Sequence, residues 1–198
     1  MLRPLHLLPS FGFGDRLGLA TPAHIQALRR SQSSLYPVFA QQSVRENART
    51  GRTPRQVLDD AKRAVEAAQW DRPWGADADH LKTPADLDAF IQAGYTFYTV
   101  DAGAQIDHSA DHAPLAWLRR KVSPADRERI ATLYLADGEE RPWGRLDEET
   151  LLRAQVKYGG LIRQAVRMFR HLSQALEDFD FEVSVDETET PTTPAEHF

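Results

Sequence analysis

The chain contains no cysteine. That absence excludes disulfides and thiolate metal sites, so any metal must be held by His, Asp or Glu. Positive charge is not in excess either. The formal net charge of -5 gives no general reason to bind nucleic acid or an anionic membrane. No long hydrophobic run is present. Residues 1–8 carry Arg3 and a few leucines, too short for a signal peptide or a membrane span, and a polar, Gly-rich stretch follows. A cytoplasmic setting is therefore expected. No low-complexity tract and no long linker interrupts the chain. What is present is 198 residues, 41% hydrophobic and 27% charged, the composition of a globular domain with a real core.

One local signal recurs. Thr or Ser followed by Pro stands at Thr21-Pro22, Thr53-Pro54, Thr83-Pro84, Ser123-Pro124 and Thr193-Pro194. A Thr or Ser N-cap accepts hydrogen bonds from orphan backbone N–H groups, and Pro at the first helical position lacks the donor that would go unpaired. Gln56, Asp86, Asp126 and Glu196 lie three residues after their caps, as capping boxes or as favourable charges at the helix dipole. Strand-like runs precede most of these starts: 5–13, 36–41, 75–81, 95–101 and 179–186. Helical patterns at 22–30, 54–69 and 84–93 lie between them. This alternation predicts an α/β fold with a parallel sheet covered by helices. From about 102 to 178 the pattern turns mainly helical, which reads as an insertion after the fourth strand. His108, Asp111 and His112 fall in its polar loop, where solvated side chains are favoured over a metal site. The helix start at Thr193 comes so close to Phe198 that a truncated chain is expected.

In parallel α/β folds the chemistry gathers beyond the carboxyl ends of the strands. Those ends are polar here. The first offers Asp15 and Arg16, the second Gln41-Gln42-Ser43 followed by Arg45 and Glu46, and the third Asp77-Ala78-Asp79-His80-Leu81-Lys82. The fourth offers Asp101, and the fifth Asp186-Glu187-Thr188-Glu189. Five such clusters at corresponding positions favour a shared polar site. Gly12-Phe13-Gly14 would bring backbone close to an anionic ligand, with Arg16 to clamp a carboxylate or phosphate. Leu17 stands where a dinucleotide fingerprint would need its third Gly.

Within the fifth strand Phe181, Val183 and Val185 alternate with Glu182, Ser184 and Asp186. Alternate residues face opposite sides, so the apolar set suits the helix-covered outside of a barrel and points Glu182 and Asp186 into its lumen. An edge strand with one wet face is the plainer alternative. His80, flanked by Asp79, is the best single metal-ligand candidate, although a lone His after a strand is more often a hydrogen-bonded structural residue.

The segments SFGFGDRLGLATPAH, FAQQSVRENARTGRTPRQVLDDA, GADADHLKT and FDFEVSVDETETPTTP closely resemble the tagaturonate epimerase family. The resemblance runs from about Ser10 to the last residue and is least distinctive in the insertion after Asp101. It implies a partial (β/α) TIM-type barrel over 1–198, with about five of eight parallel strands. It also implies a divalent metal cation held at His80, a proton acceptor at Asp79 and a proton donor at Glu182. Asp15, Arg16, Gln41, Lys82, Asp101 and Asp186 are the expected substrate contacts. Family members extend further at both ends, so the remaining metal ligands are expected beyond Phe198.

The implied activity interconverts D-tagaturonate and D-fructuronate in hexuronate breakdown. These differ at a carbinol carbon one bond beyond the α position of the ketone, where simple enolisation cannot invert the centre, so a retro-aldol route is expected. Two alternatives are a metal-dependent sugar-acid aldolase and an inactive sugar-acid-binding fragment. The expected ligand is a small hexuronate, with no nucleic-acid or membrane partner; the sequence does not define an oligomeric state.

Overall fold

In a computed structural model, residues 1–135, 146–186 and 188–197 are described. The chain forms two compact units, Met1–Asp101 with Arg167–Ser184, and Ala102–Val166 with Val185–Phe198. The helical stretch that the sequence places at about 102–178 is thus divided between them.

The first unit alternates strand and helix: β1 (Ser10–Gly14), α1 (Thr21–Ser31), β2 (Tyr36–Ser43), α2 (Val44–Thr50), α3 (Pro54–Ala67), β3 (Gly75–Leu81), α4 (Pro84–Ala93) and β4 (Phe97–Asp101). After α5 (Leu115–Lys121), α6 (Pro124–Tyr134) and α7 (Glu148–Ala175), β5 (Asp180–Ser184) closes the order, followed by α8 (Pro194–His197). All pairings are parallel, and the strands lie in chain order β1-β2-β3-β4-β5. The sheet is open.

Local chemistry sets the helix starts. Thr53 with Gln56 and Thr83 with Asp86 form reciprocal capping boxes, each with Pro in the first turn. At α1 the expected Thr21 cap is not used: Thr21 lies inside the helix, and the N-cap Ala20 has no side-chain bond. Asp15 does that job instead, as described below. Helix α3 packs against α1, α4 and β2, and α4 packs against β3. The apolar face of β5 is covered in the same way. Phe169 of α7 lies 5.4 Å from Phe181 and 5.5 Å from Phe179, and His171 Nε2 is 2.7 Å from Asp88 Oδ1 of α4. The first strand begins later than the sequence suggests. Leu5 is buried, and the Asp180 carboxylate accepts from the N–H groups of Leu5 and His6 at 2.7 and 2.8 Å. This lays residues 5–6 against the amino end of β5 rather than into β1.

The second unit has its own core of Ala110, Ala113, Leu118, Val122, Ile130, Leu146, Leu151 and Leu152. Beside it lies Lys157 of α7, fully buried. Its ammonium is 2.7 Å from Asp111 Oδ1 and 3.6 Å from Glu196 Oε1, and it donates to Thr190 Oγ1 at 2.7 Å. Burial works against the charge on Lys157, but the bond to Asp111, with Tyr158 and Glu196, outweighs it and raises the pKa. Asp111 is held low by the same pairing, against its own burial. The loop carrying Asp111 is therefore an ordered anchor and not a solvated segment. Among the described residues no helix is long and apolar enough to cross a membrane.

Removing one partner of a buried ion pair strands the other's charge, at about 3–5 kcal/mol. Lys157→Met is expected to destabilise the second unit by that amount, read as a fall in the urea midpoint. An unchanged midpoint would show that Asp111 and Glu196 are compensated by other groups.

Candidate active site

The carboxyl ends of β1, β2 and β3 line an open cleft of about 660 Å³. It is lined by residues 14–17, Leu19 and Ala20 after β1, by residues 41–43, Arg45 and Glu46 from β2 and α2, and by Asp79 and His80 of β3.

His80 enters it through a backbone irregularity. A regular strand would send Asp79 and His80 to opposite faces. The β3–β4 register shifts between Ala78 and Leu81, and His80 adopts a left-handed φ of 55°, uncommon for a residue with a side chain. Both side chains consequently line the cleft. His80 Nδ1 lies 2.8 Å from Asp79 Oδ1. With the proton of that bond on Nδ1, Nε2 carries the ring lone pair, the arrangement by which a carboxylate orients a metal-binding His.

Asp77 stands in the polar cluster read from the third strand but not among the expected catalytic or substrate contacts. It is 2% exposed, and it spans three strands: Gln41 Nε2 donates to Oδ2 at 3.1 Å and Thr99 Oγ1 donates to Oδ1 at 3.1 Å. Burial, with the negative charge of Asp79 beside it and a smaller effect of Glu182, pushes its pKa up to about 7, against the two hydrogen bonds. Gly12 makes room for this row. A Cβ there would lie 2.4 Å from Gln41 Oε1, so a side chain at position 12 would push the Gln41 amide off Asp77. Glu182 sits opposite Thr99 in the β4–β5 register, on the face away from Phe181, as the alternation predicts. It is exposed at the sheet edge.

Other expected contacts have different surroundings. Asp15 is spent on its own turn: Oδ1 accepts from Gly18 and Leu19 N–H, and Oδ2 from Ala20 N–H, Thr21 N–H and Thr21 Oγ1, at 2.8–3.0 Å. Burial raises its pKa, but these bonds outweigh burial and hold it below the usual range. It is a loop staple that also lines the cleft. Lys82 Nζ lies 3.2 Å from Asp101 Oδ2, so these two carboxyl-end residues pair with each other. Arg16 lines the cleft with its Nε 3.3 Å from Glu46 Oε2. Asp186 lies two residues past β5, exposed and in the second unit. Glu187 lies outside the described residues.

A parallel sheet in chain order, with helices on its apolar side and polar groups at its carboxyl ends, defines an α/β protein of the kind that binds small molecules at strand ends. A sequence profile described as UxaE, tagaturonate epimerase, matches residues 4–198. The chain belongs to the tagaturonate epimerase family. It is 44% identical over 206 residues to a tagaturonate/fructuronate epimerase of Thermotoga maritima, covering 99% of this chain and 41% of that protein. Crystal structures of fructuronate-tagaturonate epimerase UxaE from Cohnella laeviribosi superpose as well. The native form has a TM-score of 0.87 at 34% identity over 98% of this chain, and one glycerol complex a TM-score of 0.84 at 35% identity over 96%. The chain spans 41% of the length of each of these relatives.

Asp77 yields a pH test in chelator-treated protein. Its folded pKa of about 7 lies above the ordinary 3.8. The contribution to stability is therefore full below the unfolded pKa and lost as pH rises through the folded one. Unfolding stability should fall by about 2–3 kcal/mol from roughly pH 5 to pH 9, and Asp77→Asn should flatten that slope. Equal slopes in urea titrations of the two proteins would remove Asp77 as the titrating group.

Proposed function

We propose that the protein is a metal-dependent epimerase interconverting D-tagaturonate and D-fructuronate, and that its sheet is an arc of a (β/α) barrel. Topology supports the barrel. A doubly wound sheet reverses its strand order and takes helices on both faces, whereas these strands run in chain order with a row of polar side chains on the face away from the helices. The observation that carries the chemistry is the Asp79–His80 pair, both side chains brought into one cleft by the strained backbone at His80.

A divalent cation fits this donor set, because an imidazole with its Nδ1 edge on a carboxylate presents Nε2 as a ligand. When bound, such a cation supplies Lewis-acid polarisation of the substrate ketone. The chain's own residues manage protons and position. Asp79 holds His80 through Oδ1 and takes the proton of the carbinol hydroxyl on Oδ2. As the neighbouring C–C bond opens, that carbon becomes an aldehyde and the ketone half an enediolate. The aldehyde turns its other face, the bond re-forms, and Glu182 returns a proton to the new alkoxide. Asp77 beside these carboxylates keeps its own proton to near neutral pH, because burial and the charge of Asp79 disfavour its ionisation. Gln41 orients Asp77, and the Lys82–Asp101 pair stands at the carboxyl end as a further contact for substrate hydroxyls.

Incubation with D-tagaturonate, followed by NMR, should show D-fructuronate accumulating, with a chelator stopping it. Release of two shorter fragments would make the protein an aldolase, and no turnover with intact binding would make it a sugar-acid-binding protein. His80→Ala is expected to lower bound metal and turnover together; unchanged metal content would exclude His80 as a ligand. Glu182→Gln keeps size and most hydrogen bonding but removes acid–base capacity, so kcat should fall by about 10²–10⁴-fold with metal content retained. A rise in KM alone would make Glu182 a binding residue.

A further inference from the structure

The cleft has an electrically distinct end, formed by residues outside the Asp79–His80 pair. Glu46 of α2 has a nearly buried carboxylate, its side chain 10% exposed. Three guanidinium groups gather on it. Arg16 Nε is 3.3 Å from Oε2, Arg49 Nη1 donates to Oε1 at 2.9 Å, and Arg45 Nε stands 3.8 Å from Oε1. One negative charge faces three positive ones, an excess of positive charge in the wall of the cleft. The nearby Asp15 carboxylate, kept ionised by five hydrogen bonds to its own turn, offsets one more of these charges and still leaves an excess of one positive charge.

Arg16 and Arg45 line the cleft and are exposed. Both approach Glu46 through Nε, which directs the contact to one edge of a five-donor fork. A long exposed side chain ordinarily loses rotamer entropy when it binds, and the structure reduces that cost in two ways. Glu46 tethers the guanidinium groups. Arg52, itself mostly buried, donates from Nη1 to the carbonyl oxygens of Asp15 and Arg16 at 3.1 and 2.9 Å and pairs with Asp60 through Nη2. The loop that carries Arg16 is thus pinned on both flanks, a pre-organised seat for an anion.

We infer that Glu46 holds Arg16 and Arg45 as the seat of the substrate carboxylate, so that the cleft selects sugar acids over the corresponding neutral ketoses. The inference rests on the epimerase reading and deepens it. A planar fork meets a carboxylate through paired hydrogen bonds, which a primary alcohol at the same carbon cannot match. The seat has a consequence for the reaction as well. When the C–C bond opens, the carboxylate stays on the aldehyde half. A fragment anchored there can turn its face without leaving the cleft, which separates an epimerase from an aldolase built of the same parts.

The test is calorimetric titration of this chain, with manganese(II) supplied, against D-tagaturonate and D-tagatose, which differ only in the terminal carboxylate. The wild type is expected to prefer the acid by at least about tenfold, the span of one charge-assisted pair. The double variant Arg16→Gln/Arg45→Gln should bind both sugars within about threefold of each other. A control of equal charge change, Arg30→Gln on α1 with Arg55→Gln on α3, should keep the wild-type preference. Should the Arg16/Arg45 double variant lose its fold by circular dichroism, each single substitution is read in the same way. A folded variant that keeps the preference overturns the seat and leaves the epimerase reading standing. So does a wild type that binds both sugars equally, or a control that loses as much as the variant. A wild type that binds neither sugar overturns the seat, while the epimerase reading is decided separately by turnover of D-tagaturonate to D-fructuronate.

Discussion

Asp77 joins three strands on the polar face of the sheet. A carboxyl group 2% exposed costs several kcal/mol unless it is hydrogen-bonded or neutralised. This one takes both remedies, through Gln41 and Thr99 from the neighbouring strands and through a pKa raised to about 7. Much else is arranged around it. Gly12 has no side chain, so that Gln41 can reach. Thr99 points inward, which turns Tyr98 and Val100 to the helix side, where their register partners in β5 are Phe181 and Val183. Glu182, between those two apolar residues in sequence, is then carried to the polar face, close enough for its charge to act on Asp77.

The carboxyl ends extend that logic from packing to chemistry. The loop after β1 and the start of α2 are fixed by buried polar bonds: Asp15 within its turn, Arg52 beneath the same loop, and Glu46 under the arginines. Buried, satisfied polar networks of this kind hold side chains in one geometry. The cost appears in the backbone at His80, whose left-handed conformation is uncommon for a residue with a side chain. Strain of this sort persists only where surrounding structure over-determines it, and here the Asp79 bond and the pairing of Leu81 with Val100 bracket it.

Much of this was legible because much of it is local. The capping boxes at Thr53 and Thr83, the span of β3 and the start and end of α4 follow from residues within four positions of each other. The alternation in β5 needed only its period. What the sequence concealed was long-range or irregular. Lys157 is 46 residues from Asp111, and no pattern joins them, so an ordered anchor looked like a solvated loop. Alternation cannot foresee the register shift that brings His80 to the same side as Asp79. Asp15 shows a different ambiguity. Polarity at a strand end reads as substrate contact, yet an Asp shortly before Gly18 and a helix start is equally the signature of a side chain bonded to its own turn. Asp77 did leave a signal, since an Asp between two alanines in mid-strand is rarely buried without partners.

The cleft thus has two ends with different electrostatic characters, and the difference follows from how each carboxylate is neutralised. At the β3 end, Asp77 and Asp79 lie close together with one imidazole, so negative charge is crowded and Asp77 retains its proton to near neutral pH. At the α2 end, Glu46 and the nearby Asp15 are outnumbered by the guanidinium groups of Arg16, Arg45 and Arg49. A ligand with a carboxylate at one terminus and a ketone and hydroxyls along its length meets complementary charge only in one direction. On the proposed reading, orientation is set by the fold before any bond to the reacting atoms forms, with the positive wall at one end and Asp77, whose proton affinity burial raises, at the other.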